Sequence, residues 1–141
     1  MLRILGKISI FGTLTAIQQL ESKKPISNGL LQQVGAGRPI PVVDSWCYGS
    51  AWFSFRFDSL DEEIFNYLVA HERLGDALAV VHTGVKYAMF TVTPIDQTYE
   101  EPFSCLLSVK TLRKLSDLGL ALELAPASVM PDAPYWMQSS I

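Results

Sequence analysis

The stretch Val42-Val43-Asp44-Ser45-Trp46-Cys47-Tyr48-Gly49-Ser50-Ala51-Trp52-Phe53-Ser54-Phe55-Arg56-Phe57, followed at once by Asp58-Ser59-Leu60-Asp61-Glu62-Glu63, decides the fold class. From Trp46 onward the residues alternate with period two and are rich in aromatics, the composition of a pleated, half-buried strand. Cys47, Gly49, Ala51, Phe53, Phe55 and Phe57 share one face, which is expected to be core. Trp46, Tyr48, Ser50, Trp52, Ser54 and Arg56 share the other, mixing large rings with polar groups. Ser59 and Glu62 then stand at capping-box spacing, and Asp61, Glu62 and Glu63 suit the positive end of a helix dipole. Leu60, Ile64, Leu68 and His71 mark the buried stripe of that helix, with Phe65 and Tyr67 beside it. A strand that runs straight into a capped helix points to a mixed fold.

Outward from this segment, Leu2–Phe11 reads as a first strand with Ile4, Ile8 and Ile10 in phase and Gly6 marking a bulge or close packing. Thr13 is placed to cap a short helix whose stripe is Leu14, Ile17, Gln18 and Leu20. Lys23–Pro41, with its prolines and glycines, is expected to be a long loop with at most one helical turn. On the other side, Gly75 is expected to end the central helix in a left-handed cap. Ala77–Thr83 and Val85–Thr93 read as two strands joined by a tight turn at Thr83 and Gly84. Pro94–Pro102 is an acidic connection and Phe103–Leu107 a short strand. Ser108 is expected to cap a helix with Val109, Leu112, Leu115 and Leu118 inward and Gly119 as its stop, before a closing strand at Leu120, Leu122 and Leu124. Residues 126–141 hold Pro131 and Pro134 and read as an extended tail. These elements predict one domain over residues 1–141, an α+β fold with a mainly antiparallel sheet of about five strands and two to three helices packed on one face.

Composition narrows the function classes. The chain has 141 residues, 49% hydrophobic and 18% charged, enough apolar content for a folded core and few charges for a solvated surface. Its net charge is −3 and its lysines and arginines are scattered, so no basic stripe matches a phosphate backbone and no nucleic-acid partner is expected. No run approaches the roughly 18 apolar residues of a membrane span, and no cleavage site follows the apolar start, so neither a membrane association nor a signal peptide is expected. Cys47 and Cys105 are the only cysteines, and two free thiols in a reducing cytoplasm fit them better than a disulfide.

Candidate sites are few. His71 and His82 are the only histidines, and their spacing matches no zinc motif. His71 reads as a packed, hydrogen-bonded helix residue and His82 as a solvent-facing strand end. Neither cysteine has the surroundings of a nucleophile, and Ser50 lacks the strained turn of a hydrolase serine. Gly35-Ala36-Gly37-Arg38 resembles a phosphate loop, but Pro39 and Pro41 remove the donors that such a loop needs. No catalytic residue, metal or cofactor is therefore expected. Two groups fit a macromolecular partner. Trp46, Tyr48, Trp52 and Arg56 are of the residue types that dominate binding hot spots, although the same face would equally serve as a minor core beneath the Lys23–Pro41 loop. Asp96, Tyr99, Glu100 and Glu101 form an acidic patch in an irregular loop, suited to steering a basic surface.

The segment Trp52–Leu124 resembles a family of small bacterial domains of unknown function. Its carriers are the aromatic strand, the Ser-Leu-Asp-Glu-Glu helix start and Leu106-Leu107-Ser108-x-x-x-Leu112-x-x-Leu115-x-x-Leu118-Gly119-Leu120-x-Leu122-x-Leu124. Gly12–Pro41 departs from the family pattern, so the likeness covers about half the chain. Members are similar to immunity proteins of bacterial toxin systems, including those of type VI secretion. The resemblance implies a cytoplasmic, non-enzymatic antitoxin that binds a cognate toxin one to one and occludes its active site. A small-ligand or regulatory binding domain, using the Gly35–Pro41 loop and the aromatic face, is the alternative.

Overall fold

A computed structural model of the chain describes residues 3–26, 28–33, 46–95 and 105–125. They form β1 (Arg3–Gly12), α1 (Leu14–Ser22), β2 (Leu30–Gln33), β3 (Trp46–Gly49), β4 (Phe53–Phe55), α2 (Leu60–Ala70), α3 (Arg73–Val81), β5 (Val85–Ile95), α4 (Val109–Leu118) and β6 (Ala121–Leu124). Single 3-10 turns lie at Phe57–Ser59 and His82–Gly84. The six strands make one sheet in the order β2-β3-β1-β5-β6, with β4 also paired to β1. Every pairing is antiparallel except that of β5 with β6. The expected α+β fold is the one observed.

β1 organises the sheet because its two parities are both buried. Ile4, Ile8 and Ile10 face the helices, as do Phe90 and Val92 of β5, and all four α-helices contribute to that same core. Ile64 and Leu68 of α2 are completely enclosed there, each worth about 1.5–3 kcal/mol of hydrophobic stabilisation. Gly6 is a close-packing glycine. A methyl group on it would collide with the Phe55 ring and stand 3.0 Å from Phe90 Cζ, whereas the β-bulge falls further on, between Phe11 and Gly12. The opposite parity is polar yet equally buried: Lys7, Ser9, Thr91 and Thr93 are all under 4% exposed. Thr91 Oγ1 donates to Glu123 Oε1 at 2.8 Å, and Phe11, Cys47 and Met89 form a small second cluster. Cys47 and Cys105 are both free thiols. No helix among the described residues is long and apolar enough to cross a membrane.

Helix termini follow local chemistry where the backbone allows it. Thr13 is extended (ψ 155°) and its hydroxyl accepts the Ala16 N–H, starting α1, although Leu14 stays 37% exposed rather than joining the buried stripe. Ser108 caps α4 through the Thr111 N–H, and Gly119, at φ +75°, ends it. There the Leu120 N–H reaches Leu115 O and the Gly119 N–H reaches Ser116 O, the paired bonds of a Schellman turn.

Six expectations are corrected. Ala77–Thr83 is not a strand: residues 77–81 are the second half of α3, whose buried Leu74, Ala77, Leu78 and Val81 recur at helical spacing, and residues 82–83 belong to the 3-10 turn that follows. A short apolar run carries no period that separates the two states, and here β5 alone occupies that edge of β1. Gly75 does not stop α2, which ends at His71; it lies inside α3, where a methyl group would stand 2.9 Å from Asp117 O of α4. His82 accordingly falls in the 3-10 turn after α3 rather than at a strand end. Within Lys23–Pro41, Leu30–Gln33 forms edge strand β2, while residues 34–41 lie outside the described part. Residues 105–107 of the expected short strand are irregular. α4 also turns a different face inward: Thr111 is buried, while Val109 and Leu112 are 63% and 46% exposed. The reason is an anchor on α2, where Asp61 Oδ1 accepts the Ser108 N–H at 2.8 Å. Burial pushes the Asp61 carboxyl up, but bonds from Ser108 and Thr111 and the Lys110 charge outweigh it and hold it below the ordinary aspartate value. Lys110 Nζ lies 4.2 Å from the Phe65 ring centroid, fastening the two helices a second time.

Candidate functional site

The site is created by a slip in the aromatic stretch. Gly49 pairs with Ser9 and Phe53 with Gly6, so the chain takes four steps where β1 takes three. An extra residue in a strand inverts the parity beyond it. Tyr48 before the slip and Phe53 and Phe55 after it therefore all point toward the helices, although continuous alternation would put them on opposite faces.

Ser50 holds the slip together. Its backbone N–H donates to Ile8 O and its Oγ accepts the Ile8 N–H, both at 3.0 Å, so a side chain completes the ladder where the backbone leaves it. The same oxygen accepts the Tyr67 hydroxyl at 2.9 Å. Burial pushes the Tyr67 phenol above its ordinary value, with the Ser50 bond opposing in part. Tyr67 is the hub of an aromatic cluster: its ring lies 5.2 Å from Phe53, 5.5 Å edge-on from Phe55, 5.8 Å from Phe90 and 4.5 Å from His71. His71 Nδ1 is 2.8 Å from Tyr67 O. A carbonyl only accepts, so Nδ1 carries the hydrogen, and in the neutral imidazole Nε2 is an acceptor.

Beside this cluster opens a cavity of about 490 Å³. Trp52, Phe53, Tyr67 and His71 supply its rings, and Asn28, Glu63 and Asn66 its polar rim. Phe53 remains 47% exposed. Asn28 sits at φ +58°, a left-handed conformation that asparagine tolerates better than most residues. The expected capping box at the start of α2 is replaced by a different fastening. The 3-10 turn leaves Ser59 at ψ 32°, without a capping bond; its hydroxyl donates instead to Glu63 Oε2 at 2.7 Å, and the Arg56 N–H donates to the same oxygen at 3.2 Å. Glu63 thus takes the position expected for Glu62.

No family model, no curated protein and no solved structure matches this chain.

The expected partner residues are dispersed. Trp52 is half-buried, lines the cavity and has Lys7 Nζ 4.6 Å from its ring centroid. Arg56 is exposed beside it, 3.6 Å from Asp58 and 3.9 Å from Glu63. Trp46 packs against the main core, and Tyr48 is 1% exposed with its hydroxyl on Ile26 O at 3.2 Å. Tyr48 is therefore corrected from a surface anchor to a core residue, and Phe53 from core to exposed ring. Asp96, Tyr99, Glu100 and Glu101 lie outside the described residues, as does the Gly35–Arg38 loop. Among the described residues no three His, Cys, Asp or Glu side chains group as a metal site would require. By sequence alone Tyr67 and His71 belong to helix packing and Glu63 to the helix dipole; Asn28-Gly29, unread there, is a turn-favouring pair that points locally to the rim.

Proposed function

We propose that this protein acts by binding, as an immunity-type antitoxin that neutralises a cognate bacterial toxin, and that the Trp52–Arg56 ledge with its cavity is the recognition surface. The observation that carries the reading is Phe53: a large ring, 47% exposed, yet held by Phe55 at 5.0 Å and Tyr67 at 5.2 Å. A ring already immobilised loses little entropy on binding, which is what distinguishes an anchor from an incidental exposed side chain. Tight occlusion of an active site needs such preorganised anchors inside a polar rim. The resemblance of Trp52–Leu124 to immunity-type domains supplies the partner class. Co-expression with the product of an adjacent toxic reading frame is expected to restore growth, and Phe53→Asp is expected to abolish the protection while the protein stays folded. A toxin that remains fully active in the presence of this chain rejects the proposal.

The cavity itself favours a second reading, a small-ligand binding domain, because about 490 Å³ lies within the range of roughly 300–1,000 Å³ that small-molecule sites occupy. A ligand-dependent rise in Tm without any protein partner is its expected signature. A thermal-shift screen without hits counts against it.

A further inference from the structure

The acceptors around the cavity are unclaimed. Every contact of Glu63 falls on Oε2, and Oε1 makes none among the described residues, although the side chain is only 26% exposed. The carboxamides of Asn28 and Asn66 make no hydrogen bond among the described residues, and His71 presents Nε2 with no partner there. Ser50 differs, because its Oγ already accepts two hydrogen bonds. The rim thus offers two amide oxygens, Glu63 Oε1 and His71 Nε2 as acceptors and two amide NH2 groups as donors, and beside them stand the rings of Trp52, Phe53 and Tyr67.

Charge points the same way. Among the described residues no lysine or arginine lines the cavity and Glu63 is its one carboxylate; the nearest cation, Lys7, sits on the Trp52 ring at 4.6 Å, which leaves Phe53 as the open ring of the wall. Between residues 56 and 63 four carboxylates, Asp58, Asp61, Glu62 and Glu63, face a single arginine. Arg56 does not fill the cavity: its side chain is 75% exposed and lies closer to Asp58 than to Glu63. An anion is therefore repelled. A quaternary ammonium would satisfy the rings but has no N–H for the amides and the carboxylate oxygen. A guanidinium satisfies both, being a planar cation that stacks on aromatic faces and carries five donors.

We infer that this cavity receives the guanidinium of an arginine side chain from the protein partner, stacked against the aromatic wall and bonded to Glu63 Oε1 with the Asn28 and Asn66 amides. This rests on the binding reading above and adds to it the chemistry of the contact. Arginine presented by a basic partner surface also fits the net negative charge of the chain.

The test uses the purified full-length chain and N-acetyl-L-arginine amide, followed by ¹H–¹⁵N NMR. Saturable shifts are expected at Trp52, Glu63, Asn66 and His71, with a Kd of about 1–10 mM for so small a probe. The citrulline analogue, of equal shape without charge, is expected to bind at least about ten-fold more weakly, and the lysine analogue about three-fold more weakly. Glu63→Gln and Phe53→Ala are each expected to weaken binding about five-fold or more while the remaining resonances keep their dispersion. Absence of saturable shifts at about 50 mM probe, equal binding of citrulline, or indifference to both substitutions overturns the inference. No toxin enters this experiment, so its failure leaves the neutralisation reading standing. Conversely, arginine binding beside an unprotected toxin would reject neutralisation while retaining the chemistry of the cavity.

Discussion

The two halves of the aromatic stretch, Trp46–Gly49 and Phe53–Phe55, pair with the same strand and carry the same kinds of side chain, yet one is sealed and the other open. In β3 the ring of Tyr48 is 1% exposed and its hydroxyl is spent on Ile26 O. In β4 the ring of Phe55 is 3% exposed while Phe53, two residues away on the same face, is 47% exposed at the cavity mouth. The difference lies in what covers each half. α1, Ile26 and Gly29 close over Tyr48, whereas α2 crosses β4 with Tyr67 and leaves the cavity beside it. Aromatic composition therefore does not distinguish a core ring from an open one; the helix above it does.

The largest test of this contrast is the pair Phe55→Ala and Phe53→Ala. Removing the buried ring is expected to cost about 3–5 kcal/mol and removing the open one about 1 kcal/mol or less, read from urea unfolding. Equal losses would show that the two rings belong to one core. Next comes Ser50→Ala, which strands the Ile8 N–H and the Tyr67 O–H together; a loss of about 2–3 kcal/mol is expected, against near neutrality at exposed Ser54. The smallest effect is a matter of pH. Burial raises the folded pKa of both Tyr48 and Tyr67, so the folded state holds these protons more tightly than the unfolded chain. Their contribution is fully present below the unfolded tyrosine value of about 10 and is lost as pH rises through the higher folded values. Denaturant midpoints measured from about pH 9 to 11 are expected to fall, and Tyr67→Phe is expected to flatten that fall. An unchanged alkaline slope in the variant would place the sensitivity in Tyr48 instead.

Legibility in the sequence followed the range of the interactions involved. Thr13, Ser108 and Gly119 act on backbone atoms within a turn of themselves, and all three perform the role that their chemistry predicts. β1 and β5 were readable because long alternating runs put their apolar residues on one face at period two. Ala77–Val81 was not, since five apolar residues carry no period and the choice between strand and helix was made by neighbours distant in sequence. The phase of α4 was missed for a related reason. Leu112 and Val109 are as apolar as Leu115, and the Asp61–Ser108 bond, spanning 47 positions, with Lys110 over Phe65, turns Thr111 inward in their place. Of the anticipated partner residues, Trp52 lines the cavity and Arg56 lies exposed near its rim residue Glu63, while Trp46 and Tyr48 serve the core. Phe53, Tyr67, His71 and Glu63 were each accounted for by a local role, so nothing in their spacing announced that they would converge.

By itself, the order of residues determined that this chain mixes strands and helices, where α1 and α4 start, where α4 stops, and that one aromatic stretch would matter, because those outcomes depend on side chains acting on adjacent backbone. Tertiary structure alone decided which of those rings is buried. A single extra residue opposite β1 inverts the parity of everything after it, and whether that residue is accommodated as a slip at Ser50 depends on the Ile8 and Tyr67 groups that close around it.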